Sequence, residues 1–153
     1  MKKTVIAMLL FVLLLCLTGC QKPIESVADN GHTASGTALE EYMTTVKAQS
    51  DAINASLEQE ELTQTDMNQK SQELCDLWEA ALGRLLDEAK GILSAAEMEK
   101  LTAEQSEWLE SKANAVEAAG RDVSGGSMYA LVVNSESAKL MQARAYELFE
   151  RLK

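Results

Sequence analysis

Residues 63–93 read TQTDMNQKSQELCDLWEAALGRLLDEAKGIL, and the spacing of their apolar side chains decides the fold. Met67, Leu74, Trp78, Leu82, Leu85, Leu86, Ala89 and Leu93 recur at intervals close to three and four, the period that lines side chains along one face of an α-helix. Thr63-Gln-Thr-Asp66 in front of them has the form of a capping box. In that motif a hydroxyl accepts from the backbone three residues on, and a carboxylate reaches back to the cap. A start signal and a periodic face thus predict the same helix.

The period extends in both directions. Upstream, Leu39, Tyr42, Met43, Val46, Ile53 and Leu57 form one apolar stripe. Downstream, Ser94-Ala-Ala-Glu97 repeats the capping-box form and opens a helix carrying Met98, Leu101, Trp108, Leu109 and Val116, with Gly120 as its stop. Arg121 to Gly126 read as loop, and Ser127 as the cap of a last helix that uses Met128, Leu131, Val132, Ala138, Met141, Ala145, Leu148 and Leu152. Tyr129-Ala-Leu-Val-Val133 comes nearest to a strand, but its flanks are helical. The expected fold is all-α: a small bundle of about four antiparallel helices over residues 38–153, joined by short connections.

The N-terminus reads differently. Lys2 and Lys3 precede an unbroken apolar run, Val5 to Leu17, too short for a comfortable membrane span but suited to the apolar core of a secretory signal. It ends in Leu17-Thr18-Gly19-Cys20, which resembles the bacterial lipobox, where the cysteine is acylated and becomes the first residue. Residues 1–19 are therefore expected to be a lipoprotein signal peptide, and Cys20 a lipidation site that anchors the chain outside the cytoplasm. Residues 20–37 hold the only Pro and the only His, His32, and few large apolar side chains. That composition buries too little surface to offset the entropy of ordering, so a flexible tether is expected there. With Cys16 in the leader and Cys20 lipidated, Cys75 has no intramolecular partner, and is expected to sit in the core as a small hydrophobe.

Composition narrows the chemistry. The 153 residues carry a net charge of −10, which repels phosphate backbones and suits a cationic protein partner. One His and three Cys offer little to metal or nucleophilic chemistry, so no catalytic residue, no metal site and no cofactor is expected. Residues 120–127, GRDVSGGS, look superficially like a phosphate loop, yet lack the Walker Lys and follow no strand. Glu58, Glu60, Glu61 and Asp66 could be imagined as an acid–base pair, which requires one carboxyl to be desolvated. They fall instead at a polar helix junction, where both would stay solvated.

Four stretches carry a family likeness. Thr63-Gln64-x-Asp66-Met67-Asn68, Gln105-x-x-Trp108-Leu109, Gly125-Gly126-Ser127-Met128 and Arg144-Ala145-x-Glu147-Leu148 follow one another in the order and spacing of the LprI-type lysozyme-inhibitor family, which the chain resembles over about residues 63–152. The resemblance implies a helical envelope protein, in some members a lipoprotein and an inhibitor of lysozyme. It also implies a disulfide between the last two helices, but this chain has Ser111-Lys112-Ala113 and Val116 near one family cysteine and Glu136 near the other.

Lysozyme or another cationic envelope protein is thus the expected partner, and the loop the expected contact: Asp122, Ser124, Gly125, Gly126 and Ser127 would enter the partner's cleft. A plainer reading makes Gly125 and Gly126 only a turn and Ser127 only a helix cap. Arg144 and Glu147 are expected to form interhelical or local ion pairs, and Gln105 to satisfy a backbone group near a buried Trp108. The alternative to an inhibitor is a non-inhibitory helical interaction module of the envelope, which an exposed apolar groove along a helix pair would favour.

Overall fold

Ser71, Cys75, Trp78, Leu82, Leu85 and Ala89 advance by alternating steps of four and three, and so do Asn134, Ala138, Met141, Ala145, Leu148 and Leu152. All of them except the half-buried Asn134 are buried. A computed structural model describes residues 31–59 and 61–153. It contains α1 (Gly31–Leu57), α2 (Gln64–Ile92), α3 (Ala95–Gly120) and α4 (Tyr129–Leu152), with a 3-10 turn at Arg121–Val123 between the last two. No strand occurs among the described residues. The two alternating stripes belong to α2 and α4, whose mutual interface is the most extensive among the described helices. A stripe averaging 3.5 residues per turn keeps facing its partner when two helices wind gently around each other. Ser71, Cys75, Ala81 and Ala89 on α2, with Ser137, Ala138 and Ala145 on α4, keep the seam thin.

Hydrogen bonds fix the stagger. Asn134 Nδ2 donates to Ser71 Oγ at 3.4 Å, and Asn68 Nδ2 donates to the Ser127 carbonyl at 2.9 Å. Both contacts join the N-terminal end of α2 to that of α4, so these helices run parallel. Consecutive helices are antiparallel, as expected. In a square up-and-down bundle, however, α2 and α4 would stand on a diagonal. Here that diagonal pair is the core, α1 packs chiefly on α2, and α3 chiefly on α4.

Trp78 joins three of the four helices. It has no exposed surface, and its indole N–H donates to Ser50 Oγ of α1 at 3.1 Å. The Tyr146 ring of α4 lies 5.6 Å away and tilted by 51°. A buried indole needs a partner for its N–H, and burying Ser50 beside it satisfies both groups. Cys75 is buried and free, as expected.

Both capping boxes form. Asp66 N donates to Thr63 Oγ1 at 3.2 Å and Thr63 N to Asp66 Oδ2 at 2.9 Å. At α3 the matching distances for Ser94 and Glu97 are 3.4 and 2.8 Å. The donors lower both carboxyl pKa values: the Thr63 hydroxyl and backbone act on Asp66, the Ser94 hydroxyl and backbone on Glu97.

Residues 31–37 of the expected tether are helical, because α1 begins at Gly31. Once Leu39, Met43 and Val46 dock, each residue added upstream gains a helical hydrogen bond without a new nucleation cost. The expected signal peptide, Cys20 and the tether up to residue 30 lie outside the described residues. Among the described residues no helix is long and apolar enough to cross a membrane.

Two measurements check this packing. In urea denaturation, Trp78→Ala lowers stability by about 3–5 kcal/mol, whereas Ser50→Ala, which orphans only the indole N–H, lowers it by about 1–3 kcal/mol. Because folding depresses the Asp66 and Glu97 pKa values, their contribution is full at neutral pH. It is lost as pH falls through the depressed values. Thermal melts of an Asp66→Asn/Glu97→Gln double variant therefore decline less steeply on acidification than those of the parent.

Candidate functional site

The loop between α3 and α4 is anchored at both ends. At its start, a Cβ added to Gly120 would lie 2.7 Å from Val133 Cγ1 and 2.8 Å from Tyr129 Cε2. Gly120 thus permits the approach of α4; its φ of −78° is not the left-handed value of a glycine helix stop. The chain then makes its 3-10 turn, and Gly126 N donates to the Val123 carbonyl at 3.0 Å. Gly125 takes a φ of 75°, a conformation costly for side chains with a Cβ. Tyr129 N donates to the Gly126 carbonyl at 3.2 Å, and Asn68 holds the next carbonyl, that of Ser127.

Ser127 does not cap α4. The helix opens after Met128, with no side-chain cap, and Ser127 contributes its main-chain carbonyl instead. The one-residue delay also removes Met128 from the core stripe: it is 47% exposed, and Tyr129 is 43% exposed. Asp122, Ser124, Gly125, Gly126 and Ser127 are all exposed, as is Arg121. The structure therefore brings the expected loop residues together at one surface and adds two large apolar neighbours, of which the helical period had assigned Met128 to the interior. Glu117, Gly120, Arg121, Ser124 and Tyr129 line a shallow depression of about 180 Å³ beside them.

The family-like stretches meet in pairs. The first reaches the third through Asn68 and Ser127. The second reaches the fourth through Arg144, whose Nε donates to Gln105 Oε1 at 3.1 Å. Gln105 thus serves a side chain of α4 and not a backbone group. Arg144 is only 6% exposed; its Nη1 donates to Glu147 Oε1 at 2.8 Å, the ion pair expected. Glu104 Oε2 stands 3.9 Å from Arg144 Nη2 and accepts from Arg151 Nη1 at 2.9 Å. Where the family likeness implied a disulfide between α3 and α4, this polar cluster and the Gly120 contact hold the helices together.

The remaining candidates are dispersed. Glu58, Glu61 and Asp66 are exposed, and Glu60 lies outside the described residues. Trp108 is half-buried against the core, with Lys112 Nζ 5.9 Å from its ring centre. Among the described residues no group of three or more His, Cys, Asp or Glu is placed to hold a metal ion.

The family model described as Lysozyme inhibitor LprI matches residues 54–148. No curated protein matches the chain, and no solved structure does.

Substitutions separate anchoring from exposure. Asn68→Ala costs about 1 kcal/mol and speeds amide hydrogen exchange across residues 124–128 while the α2–α4 seam stays protected. Arg144→Ala, which leaves Gln105 and Glu104 without their buried partner, costs about 2–3 kcal/mol in urea denaturation.

Proposed function

Because the chain belongs to the LprI lysozyme-inhibitor family, we propose that it is an extracytoplasmic, inhibitor-like lipoprotein. It binds lysozyme or a similar cationic cell-wall hydrolase and blocks it, with no enzymatic activity of its own. The observation that carries this reading is the α3–α4 loop, exposed from Arg121 to Met128 except at the half-buried Val123, yet pinned at each end. A segment already held in shape loses little freedom on binding. Asp122, Ser124 and Ser127 supply polar contacts to a cleft, and Tyr129 and Met128 supply apolar area of the kind that anchors interfaces. The net charge of −10 speeds and orients encounter with a basic enzyme more than it deepens affinity. A signal peptide over 1–19 and lipid on Cys20 would hold the chain at the membrane surface, on the side where such hydrolases act.

The test is turnover of a cell-wall substrate by lysozyme with and without the full chain, at low and moderate salt. The expected result is saturable inhibition near equimolar ratio that weakens with salt. Asp122→Lys and Tyr129→Ala should each weaken it about tenfold, about 1.4 kcal/mol, and Asp122→Lys should do so without shifting the melting temperature. Inhibition only in large excess at low salt would reduce the effect to charge pairing and overturn the proposal, as would no inhibition at all.

A further inference from the structure

Although α2 and α3 follow each other across a connection of only Leu93 and Ser94, they form no substantial interface, because α3 leans on α4. Between them runs an open groove of about 440 Å³, with Leu86, Met98, Leu101 and Leu109 among its lining residues. Leu109 also lines a second hollow of about 270 Å³ with Ala113, Val116 and, from α4, Ser137. The two hollows share Leu109, and their lining residues follow one face of α3. From Met98 to Val116 it runs roughly 27 Å at 1.5 Å per residue. Leu109, at its middle, is 53% exposed, the highest value for a large apolar side chain among the described residues.

The rim is acidic. The helical period places Glu99, Glu110 and Glu117 along one edge of α3, and Asp76, Glu79 and Asp87 along the groove-facing side of α2; all six are exposed. The nearby cations are engaged: Lys90 is bound to Asp87 at 2.6 Å and Lys112 sits over Trp108.

We propose that the α2–α3 groove is a docking site for a cationic amphipathic helix of a protein partner. Two helical walls with an apolar floor fit the apolar stripe of a third helix, and the rim selects Lys and Arg on its flanks. The groove length matches about eighteen helical residues. A second copy of this chain is disfavoured, because it would set one acidic rim against another. The groove site does not depend on the loop contact proposed above, and either can fail without the other.

The test measures fluorescence anisotropy of a labelled eighteen-residue Leu/Lys amphipathic peptide (a length of about five turns). The full chain is titrated in nonionic detergent, with protein-free micelles as the baseline. Saturable one-to-one binding is expected. Leu109→Asp should weaken it about tenfold or more, and Glu99→Lys/Glu110→Lys should weaken it severalfold. Asp122→Lys, in the loop, should leave it unchanged. Gly83 lines the groove, and a Cβ added there meets nothing within 4 Å, so Gly83→Trp directs its ring into the open groove and should block binding even if Leu109→Asp perturbs folding. Absence of saturable binding, or binding that survives both Leu109→Asp and Gly83→Trp, overturns the proposal. Self-association of the chain abolished by Leu109→Asp also overturns it, by giving the groove to a second copy.

Discussion

The two core helices begin side by side because Asn134 reaches Ser71 and Asn68 reaches the Ser127 carbonyl. From that start their apolar stripes step together to Ala89 and Leu152. Every other element is placed by this stagger. It sets Trp78 where α1 can offer Ser50 and α4 can offer Tyr146. It also leaves α1 and α3 on opposite flanks of a two-helix centre. Since α3 engages α4 and not α2, the groove between α2 and α3 is a direct result of the same parallel seam.

The sequence stretches that carry the family likeness prove to be joints. Asn68 and Ser127 form one, Gln105 and Arg144 the other, and each connects segments far apart in the chain. Such residues define where the loop and the helices lie; of the four, Ser127 also stands on the exposed face of the loop. The surfaces available to a partner are built from residues between the joints: Asp122, Ser124 and Tyr129 at the loop, Leu109 and its acidic neighbours along α3. The missing cysteine pair fits this division. A buried guanidinium with carboxylate and amide acceptors, together with a close glycine contact, occupies the same helix pair that the bridge would have tied.

Legibility in the sequence followed the range of the interaction. Local signals were readable: both capping boxes, the helical period, and the Arg144–Glu147 pair each depend on residues three or four apart. The pairing of α2 with α4 was not, because a stripe of period near 3.5 looks the same whichever helix covers it. Gly120 illustrates a second limit. The letter predicts a stop, and α3 does end there, but it does not show the use of the missing Cβ beside Val133 and Tyr129, a fact about another helix. Leu109 and Met128 illustrate a third, since an apolar residue in helical register fits a core or an interface equally well. The loop was found from its glycines, but the exposure of Met128 was hidden by a helix start one residue later than a Ser127 cap suggested.

The separation of 63 residues between Ser71 and Asn134 has a consequence for how the chain acquires its structure. Parallel partners cannot be joined by a tight turn, and contacts so distant in sequence form only after a long segment has been ordered or bridged. A chain synthesised from its N-terminus completes α1, α2 and α3 before α4 exists. Until then Trp78, Leu82 and Leu85 have no seam to enter, and the first three helices remain an unfinished surface. Folding of the domain is therefore gated by α4, the last of its four described helices to emerge.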